Sequence, residues 1–275
     1  MKLLDLFSGI GGFSIGLEAA GMQTIAFCER EPFCQAVLKK HWPELPCHDD
    51  VTTLNGSQYA GQIDVIAGGF PCQDISVAGK GKGLAGERSG LWSQFLRLIK
   101  EIKPRYAIIE NVSALRSRGL EEVLRSLDEI GYDAEWHCIT ASAIGAPHRR
   151  DRIWIVAYAR SAGWDAGDVC QQRNNGKQIK SRRPAIASQS SQASAPVANA
   201  LREGLEGQWT LTSRIGTELK DTRYSRGWLL EPNVGRVANG VPARVDRIKA
   251  LGNSIVPQIA EIIGKSIMEV EYGHA

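Results

Sequence analysis

The sequence predicts an α/β protein built on a largely parallel sheet covered on both faces. Apolar runs of four to six residues alternate with stretches of helical periodicity, the pattern of strands joined by crossover helices. The strand-like runs are close to continuously apolar, as strands buried on both faces must be. This pattern breaks off near Arg160 and resumes only towards the C-terminus, so a regular body is interrupted by an irregular segment and then completed.

Lys2–Phe7 reads as the first strand and Gly12–Ala20 as the first helix. Gln23–Phe27 is a second strand, and the helix after it opens at Pro32, a favoured first-turn position. A third strand is expected to end near Asp50. Ile63–Ala67 (IDVIA) is a strand running into Gly68-Gly69-Phe70-Pro71. Leu91–Lys103 carries Leu91, Trp92, Phe95, Leu98, Ile99 and Ile102, the spacing of an amphipathic helix, and Pro104 stops it. Tyr106–Glu110 (YAIIE) is a strand, Leu120–Ile130 a helix and Arg152–Tyr158 (RIWIVAY) another strand. Periodicity returns at Val245–Leu251 and at Pro257–Met268, a C-terminal helix. Between them, residues 185–200 (AIASQSSQASAPVANA) are nearly low-complexity and offer little to bury.

Composition narrows the function classes. The chain has 275 residues, a net charge of +3 and 43% hydrophobic residues, with no run of 18 apolar residues to span a membrane. The N-terminal run contains Asp5 and Glu18 and has no A-x-A-like site, so no signal peptide is expected and a cytoplasmic setting follows. Between His148 and Arg183 there are nine Lys/Arg against three Asp/Glu, either a solvated loop or a polyanion-facing stretch. The six cysteines form no C-x-x-C pair and fit no zinc spacing, so no metal is expected. Most of them read as small buried thiols.

Four signals carry chemistry. The first is Asp5-Leu-Phe-Ser-Gly9-Ile-Gly11-Gly12, a strand, a glycine-rich turn and a helix start. Such a turn lets the backbone approach a ligand. Ser14 stands where the dinucleotide fingerprint needs its third glycine, so a nucleoside suits the turn better than a pyrophosphate. Glu29 and Asp50, at the ends of the second and third strands, are placed for such a ligand. An ordinary tight turn flanked by surface acids fits these residues equally well.

The second signal is Gly68-Gly-Phe-Pro71-Cys72-Gln-Asp-Ile-Ser76 directly after a strand. Cys72 there faces the ligand side, although a buried structural cysteine is the commoner fate of a lone thiol. The third is Glu110-Asn111-Val112 at another strand end. A carboxyl there is partly desolvated and its pKa raised, suiting it to hold a proton; a structural Glu paired with arginine is the alternative. The fourth is His148-Arg149-Arg150-Asp151-Arg152, in which strand alternation puts Arg150 and Arg152 on one face, unless the stretch is simply solvated.

In this order the signals are specific. The sequence resembles the C5-cytosine DNA methyltransferase family of bacterial and phage type, through DLFSGIGG, Glu29, Asp50-Val51, GGFPCQDIS, Glu110-Asn111-Val112, the Arg150/Arg152 pair and Leu251-Gly-Asn-Ser-Ile-Val-Pro257. The resemblance covers about residues 1–158 and 236–268. It implies a Rossmann-like S-adenosylmethionine-dependent methyltransferase fold with a small, irregular target-recognition segment. Residues 1–158 would be the catalytic and cofactor-binding domain, 159–235 the target-recognition segment, and 236–275 the part completing the catalytic domain.

The resemblance also implies roles. Cys72 adds to C6 of a cytosine flipped out of double-stranded DNA, activating C5 towards a methyl group. Glu110 holds N3 and the exocyclic amine, Arg152 hydrogen-bonds O2, and Arg150 orders the site. The methyl donor is S-adenosyl-L-methionine. Phe7 packs on its adenine, with Ser8, Gly9, Gly11 and Gly12 in the turn beside the methionine part. Glu29 binds the ribose, Asp50 the adenine amine and Val51 the ring face, while Pro71, Leu91, Asn253 and Ser254 complete the pocket. A monomer in a restriction–modification setting is expected.

The 159–235 segment is short and polar for a recognition domain, and the arginine-led motif that should precede its end is best matched by Arg236-Val-Ala-Asn-Gly-Val-Pro242. Residues 170–200 are expected to be partly disordered without DNA, with Arg182 and Arg183 meeting phosphates. Base reading is assigned to the Trp209–Trp228 stretch with Arg214, Arg223 and Arg226. A tRNA methyltransferase sharing these motifs, or an inactive DNA- or cofactor-binding relative, remains open from sequence.

Overall fold

The structure, a computed structural model, describes residues 1–71, 90–160 and 243–273. Cys72 and Cys170, the 159–235 segment beyond Arg160 with the arginines assigned to phosphates and bases, and the Arg236–Pro242 motif lie outside the described residues.

The strands of the described residues are β1 (Lys2–Leu6), β2 (Gln23–Cys28), β3 (Cys47–His48), β4 (Val65–Gly68), β5 (Tyr106–Val112), β6 (Tyr132–Thr140) and β7 (Asp151–Ala159). They form one sheet in the order β3-β2-β1-β4-β5-β7-β6. Strands β1 to β5 pair parallel, while β7 runs antiparallel to both β5 and β6. The helices are α1 (Gly12–Ala19), α2 (Pro32–His41), α3 (Gly90–Ile102), α4 (Leu115–Arg118), α5 (Leu120–Glu129), α6 (Arg244–Asn253) and α7 (Pro257–Tyr272). No helix among the described residues is long and apolar enough to cross a membrane.

The expected elements form within one to four residues of the boundaries read from sequence, and β6 is an addition. It lies at the sheet edge, where most of its side chains are half-buried, so Tyr-Asp-Ala-Glu-Trp-His-Cys-Ile-Thr shows neither an apolar run nor a clean alternation. Its presence also decides the direction of β7. Ten residues, four of them a 3-10 turn over Ala141–Ile144, separate the two strands. That is too short for the usual parallel crossover, so the chain doubles back and β7 is antiparallel.

The sheet is covered on both faces. Alternation along β5 sends Ala107 and Ile109 to the face packed by Trp92, Phe95 and Leu98 of α3 and Val123 and Leu127 of α5. Ile108 goes to the other face, against Phe13 and Leu17 of α1 and Ile259, Ile262 and Ile263 of α7. The Trp92 indole N–H, buried with the first group, donates to Ser126 Oγ at 3.0 Å, so no donor is stranded there. The last helix therefore rests on the first.

The α1–α7 contact is set by glycines. A Cβ at Gly264 would stand 2.7 Å from Ala20 Cβ, and one at Gly16 would run into the Pro257 carbonyl and come within 2.8 Å of Ala260 Cβ. Gly16→Ala gains about 1 kcal/mol of helix propensity but overpacks a backbone contact at a cost of about 1–3 kcal/mol. The expected net result is a lower urea midpoint for G16A. A midpoint equal to or above that of the parent chain would show that α1 and α7 do not pack this closely.

Candidate active site

The parallel strands all deliver their C-terminal ends to one edge. The chain leaves β1 for β2 on one side and reaches β4 on the other, and where the order of a parallel sheet reverses, a crevice opens beyond the strand ends.

The glycine-rich turn leaves β1 through Phe7, whose φ of 52° is left-handed, followed by Gly9 at 55° and Gly11 at 87°. A non-glycine residue pays about 1–2 kcal/mol in that region, so Phe7 is held there by its surroundings. Its ring stacks on Phe95 with centroids 6.3 Å apart. Ser8 turns inward, is buried, and donates from Oγ to the Asp5 carbonyl at 2.6 Å. Asp5 is fully buried, and its Oδ2 accepts from Ser14 N at 3.2 Å and Ser14 Oγ at 2.8 Å. Burial pushes the Asp5 carboxyl up to about 8. Ser14, which displaced the dinucleotide reading, thus anchors the helix start to β1.

Glu29 follows β2 and reaches back to the turn. Its Oε2 accepts from Gly9 N and its Oε1 from Glu31 N, both at 2.7 Å, so the carboxylate shapes the turn and the start of α2 together. After β3, Asp50 Oδ1 accepts from Thr52 N at 2.8 Å and Thr52 Oγ1 at 2.7 Å. These bonds hold the Asp50 carboxyl below its ordinary range.

At the end of β4 each glycine clears a specific obstacle. A side chain at Gly68 would strike the Leu6 carbonyl, and a Cβ at Gly69 would lie 2.8 Å from Glu110 Oε2. Phe70 is buried against Trp92, and its carbonyl accepts from Asn111 Nδ2 at 3.0 Å. Asn111 Oδ1 in turn accepts from Val112 N at 2.9 Å. The approach to Pro71, which Cys72 follows in sequence, is therefore tied to the end of β5.

Glu110 is 8% exposed, and Arg152 Nε stands 3.0 Å from its Oε1. The antiparallel register pairs Glu110 with Trp154 and Val112 with Arg152, so Arg152 enters β7 at the edge where Glu110 leaves β5. Burial pushes the Glu110 carboxyl up to about 7, with Arg152 and then Arg150 opposing the rise.

Arg150 departs from the sequence reading. It precedes β7 with a φ of 27°, so strand alternation with Arg152 does not apply. Its Nη2 donates to the carbonyls of Gly252, at 2.8 Å, and of Ser254. It fastens the end of α6 to the sheet while its charge still bears on Glu110.

These elements enclose a cavity of about 600 Å³, within the range of small-molecule sites. Phe7, Gly9, Glu29, Asp50, Val51, Pro71, Leu91, Glu110, Arg152 and Asn253 line it. Ser8, Gly11, Gly12, Arg150 and Ser254 do not. Gly11 is required instead because a Cβ would meet the Trp42 ring at 2.7 Å, and Gly12 because it would meet Ile255 Cγ1 at 2.8 Å. Sequence reasoning missed Arg30, Glu31, Asp246 and Lys249 on the wall. Lys249 Nζ of α6 reaches Glu31 Oε2 at 2.6 Å, a pair 218 residues apart that no local pattern signals. It also attached no role to Gly69 and Asn111.

The cysteine expectation holds in part. Cys28 and Cys34 are buried, Cys47 is half-buried and Cys138 exposed, all as free thiols. Burial pushes Cys28 up to about 12 and Cys34 up to about 11, so neither cavity-lining thiol is a ready nucleophile. Among the described residues no cluster of His, Cys, Asp and Glu could hold a metal ion.

Comparison with known proteins places the chain among relatives. The chain is 36% identical over 165 residues to Type II methyltransferase M2.BsuMI of Bacillus subtilis (strain 168), covering 57% of this chain and 42% of that one. It is 37% identical over 158 residues to Type II methyltransferase M.CviJI of Paramecium bursaria Chlorella virus IL3A, with the same two coverages. It thus spans less than half the length of these curated relatives. In fold it resembles the S. pombe Dnmt2 methyltransferase, with a TM-score of 0.61 and 18% identity over 99% of both chains. The family model for C-5 cytosine-specific DNA methylases matches residues 1–227, and the chain belongs to that family.

Proposed function

We propose that the protein is a DNA (cytosine-5-)-methyltransferase that transfers a methyl group from S-adenosyl-L-methionine to C5 of a flipped-out cytosine in duplex DNA. The observation that carries this reading is Glu110, buried and raised to about 7, paired with Arg152 on the wall of a cavity that Pro71 also lines. A carboxyl in that state can give a hydrogen bond to N3 of cytosine and take one from its amine.

The cavity fits the donor. Six carboxyl side chains and three cationic ones line it, a balance that favours a ligand carrying a sulfonium and an ammonium group. Gly9 has open space where a Cβ would stand, and Phe7 and Val51 offer apolar surface beside Asp50. When bound, S-adenosyl-L-methionine supplies an electrophilic methyl group.

The chain's residues would act in sequence. The Cys72 thiolate forms an Sγ–C6 bond, and the displaced ring electrons collect at C5 while Glu110 shares a proton with N3 and Arg152 holds O2. The activated C5 would then accept the electrophilic methyl group that the bound donor supplies. A base removes the C5 proton, the C6–Sγ bond breaks, and the thiolate is restored. Residues 1–158 and 236–275 would form this catalytic domain, and 159–235 would choose the target. The Type II names of the relatives support a restriction–modification setting, and the enzyme would work in the cytoplasm as a monomer.

Methylation of duplex DNA and of tRNA by the purified chain, read by bisulfite sequencing, tests the substrate class. Modified cytosines are expected in the DNA, and modification confined to tRNA would overturn the DNA reading. Cys72→Ser is expected to abolish methyl transfer and leave donor binding intact, because a serine hydroxyl is scarcely ionised at neutral pH. Substantial turnover by the variant would remove Cys72 as nucleophile. Duplexes with 5-fluorocytosine at the target should leave a donor-dependent covalent complex on a denaturing gel, since fluorine cannot depart as a cation. The absence of that band would refute the addition–elimination route.

Glu29→Ala removes both the proposed ribose contact and the acceptor for Gly9 N. A charged hydrogen bond of this kind is worth about 1.5–3 kcal/mol, about ten- to hundredfold in donor affinity. Calorimetry should show that loss with DNA binding little changed. Unchanged donor affinity would take Glu29 out of the pocket.

A further inference from the structure

One wall of the cavity is held from behind. Asp50, Val51 and Thr52 line it, and they belong to a stretch between β3 and the 3-10 turn Gly56–Tyr59 that takes no part in the sheet. Val51 and Leu54 are buried, so their carbonyls need partners. Both find one side chain. Arg97 on α3 donates from Nη2 to the Val51 carbonyl at 2.8 Å and from Nη1 to the Leu54 carbonyl at 3.0 Å.

The guanidinium is itself held in place. Nε donates to Gln94 Oε1 at 2.7 Å, and Nη1 meets both Glu101 oxygens at 2.8 and 2.9 Å. Glu101 Oε2 accepts in addition from Gly56 N at 2.8 Å. A Cβ at Gly56 would lie 2.6 Å from that oxygen, so the close approach requires glycine. Burial alone would raise the Glu101 carboxyl, yet Arg97 and the Gly56 amide hold it below its ordinary range. Arg97 and Glu101 thus grip residues 51–56 at three backbone points without either one lining the cavity.

We propose that Arg97 is a positioning residue for donor recognition, fixing the Asp50–Thr52 wall through the Val51 and Leu54 carbonyls. This rests on the reading of the cavity as the S-adenosyl-L-methionine site and adds a determinant outside it. The planar fork of arginine serves two carbonyls at once, whereas a lysine ammonium offers a point charge on a flexible stem. Arg97→Lys should therefore recover only part of what Arg97→Ala loses.

The test uses the full chain with S-adenosylhomocysteine as the binding probe. Arg97→Ala is expected to raise the calorimetric Kd for S-adenosylhomocysteine and the KM for S-adenosyl-L-methionine by about tenfold or more. At saturating donor, kcat should stay within about twofold and the KM for DNA should not move. Arg97→Lys should fall between, and Glu101→Gln, which keeps the arginine, should shift the Kd in the same direction by less. Were Arg97→Ala poorly folded, the Lys and Gln variants would still report the ordered shift in Kd. A lower melting temperature with unchanged Kd and KM in these variants would overturn the proposal and leave Arg97 a purely structural residue. Failure of the parent chain to bind S-adenosylhomocysteine would instead overturn the reading of the cavity, and this proposal with it. Parent binding with flat variant Kd values would sink the proposal alone.

Discussion

The site depends on a carboxyl group kept out of water at the end of a strand. Glu110 is buried, and Arg152 provides the opposite charge at 3.0 Å. Losing one partner of a buried pair costs about 3–5 kcal/mol, because the other charge is left uncompensated; Arg152 is partly exposed, which places this pair towards the lower end. Much of the neighbourhood serves the pair. Gly69 leaves room for the carboxylate, Asn111 ties the adjacent turn to β5, and antiparallel β7 brings in Arg152 from the right direction. The balance does not favour full ionisation. The folded-state value of about 7 exceeds the ordinary 4.5, so the folded protein holds more protons than the unfolded chain between those limits. Stability contributed by this group is therefore fully present below about 4.5, falls as pH rises towards 7 and levels off above it. A carboxyl tuned in this way is costly to the fold, the expected mark of a group retained for chemistry.

The side of the cavity formed by the glycine-rich turn and residues 50–54 is organised by backbone contacts. Glu29 holds the Gly9 amide and the start of α2 at once, and Arg97 does the same for the carbonyls of Val51 and Leu54. These groups lie in turns where no ladder can satisfy them, so charged side chains complete the accounting. The C-terminal residues return to this region by close packing. Gly12 admits Ser254 and Ile255, and Gly16 admits the Pro257 backbone. Arg150 then bonds the carbonyls at the end of α6. Asn253, some 240 residues from Gly9 in the chain, thereby comes to line the same cavity.

Legibility in the sequence followed the range of the interactions. The parallel strands were readable because burial on both faces demands continuous apolar runs such as Val65–Gly68 and Tyr106–Ile109. The expectation of a raised Glu110 pKa succeeded for a local reason: a carboxyl ending an apolar strand is desolvated whatever surrounds it. Ser8, Gly11, Gly12 and Ser254 enter the expected pocket through the family resemblance, which carries a motif over whole. A motif match does not say which of its residues line a cavity: Ser8 is buried, and a Cβ at Gly11 or Gly12 would meet Trp42 or Ile255. The shared strand face of Arg150 and Arg152 does not form, since the two-residue period holds only inside a strand and β7 begins one residue after Arg150.

By itself, the sequence determined the α/β class, the succession of strands and helices along the chain and the short motifs at the strand ends. Each of these is set by local periodicity or by a short motif. Tertiary structure alone decided the Glu110–Arg152 geometry, the Lys249–Glu31 contact and the grip of Arg97 on residues 51–56. These side-chain pairings join residues 42 to 218 positions apart along the chain. They are fixed by how the sheet is ordered and how its helices pack, so no window of sequence contains them.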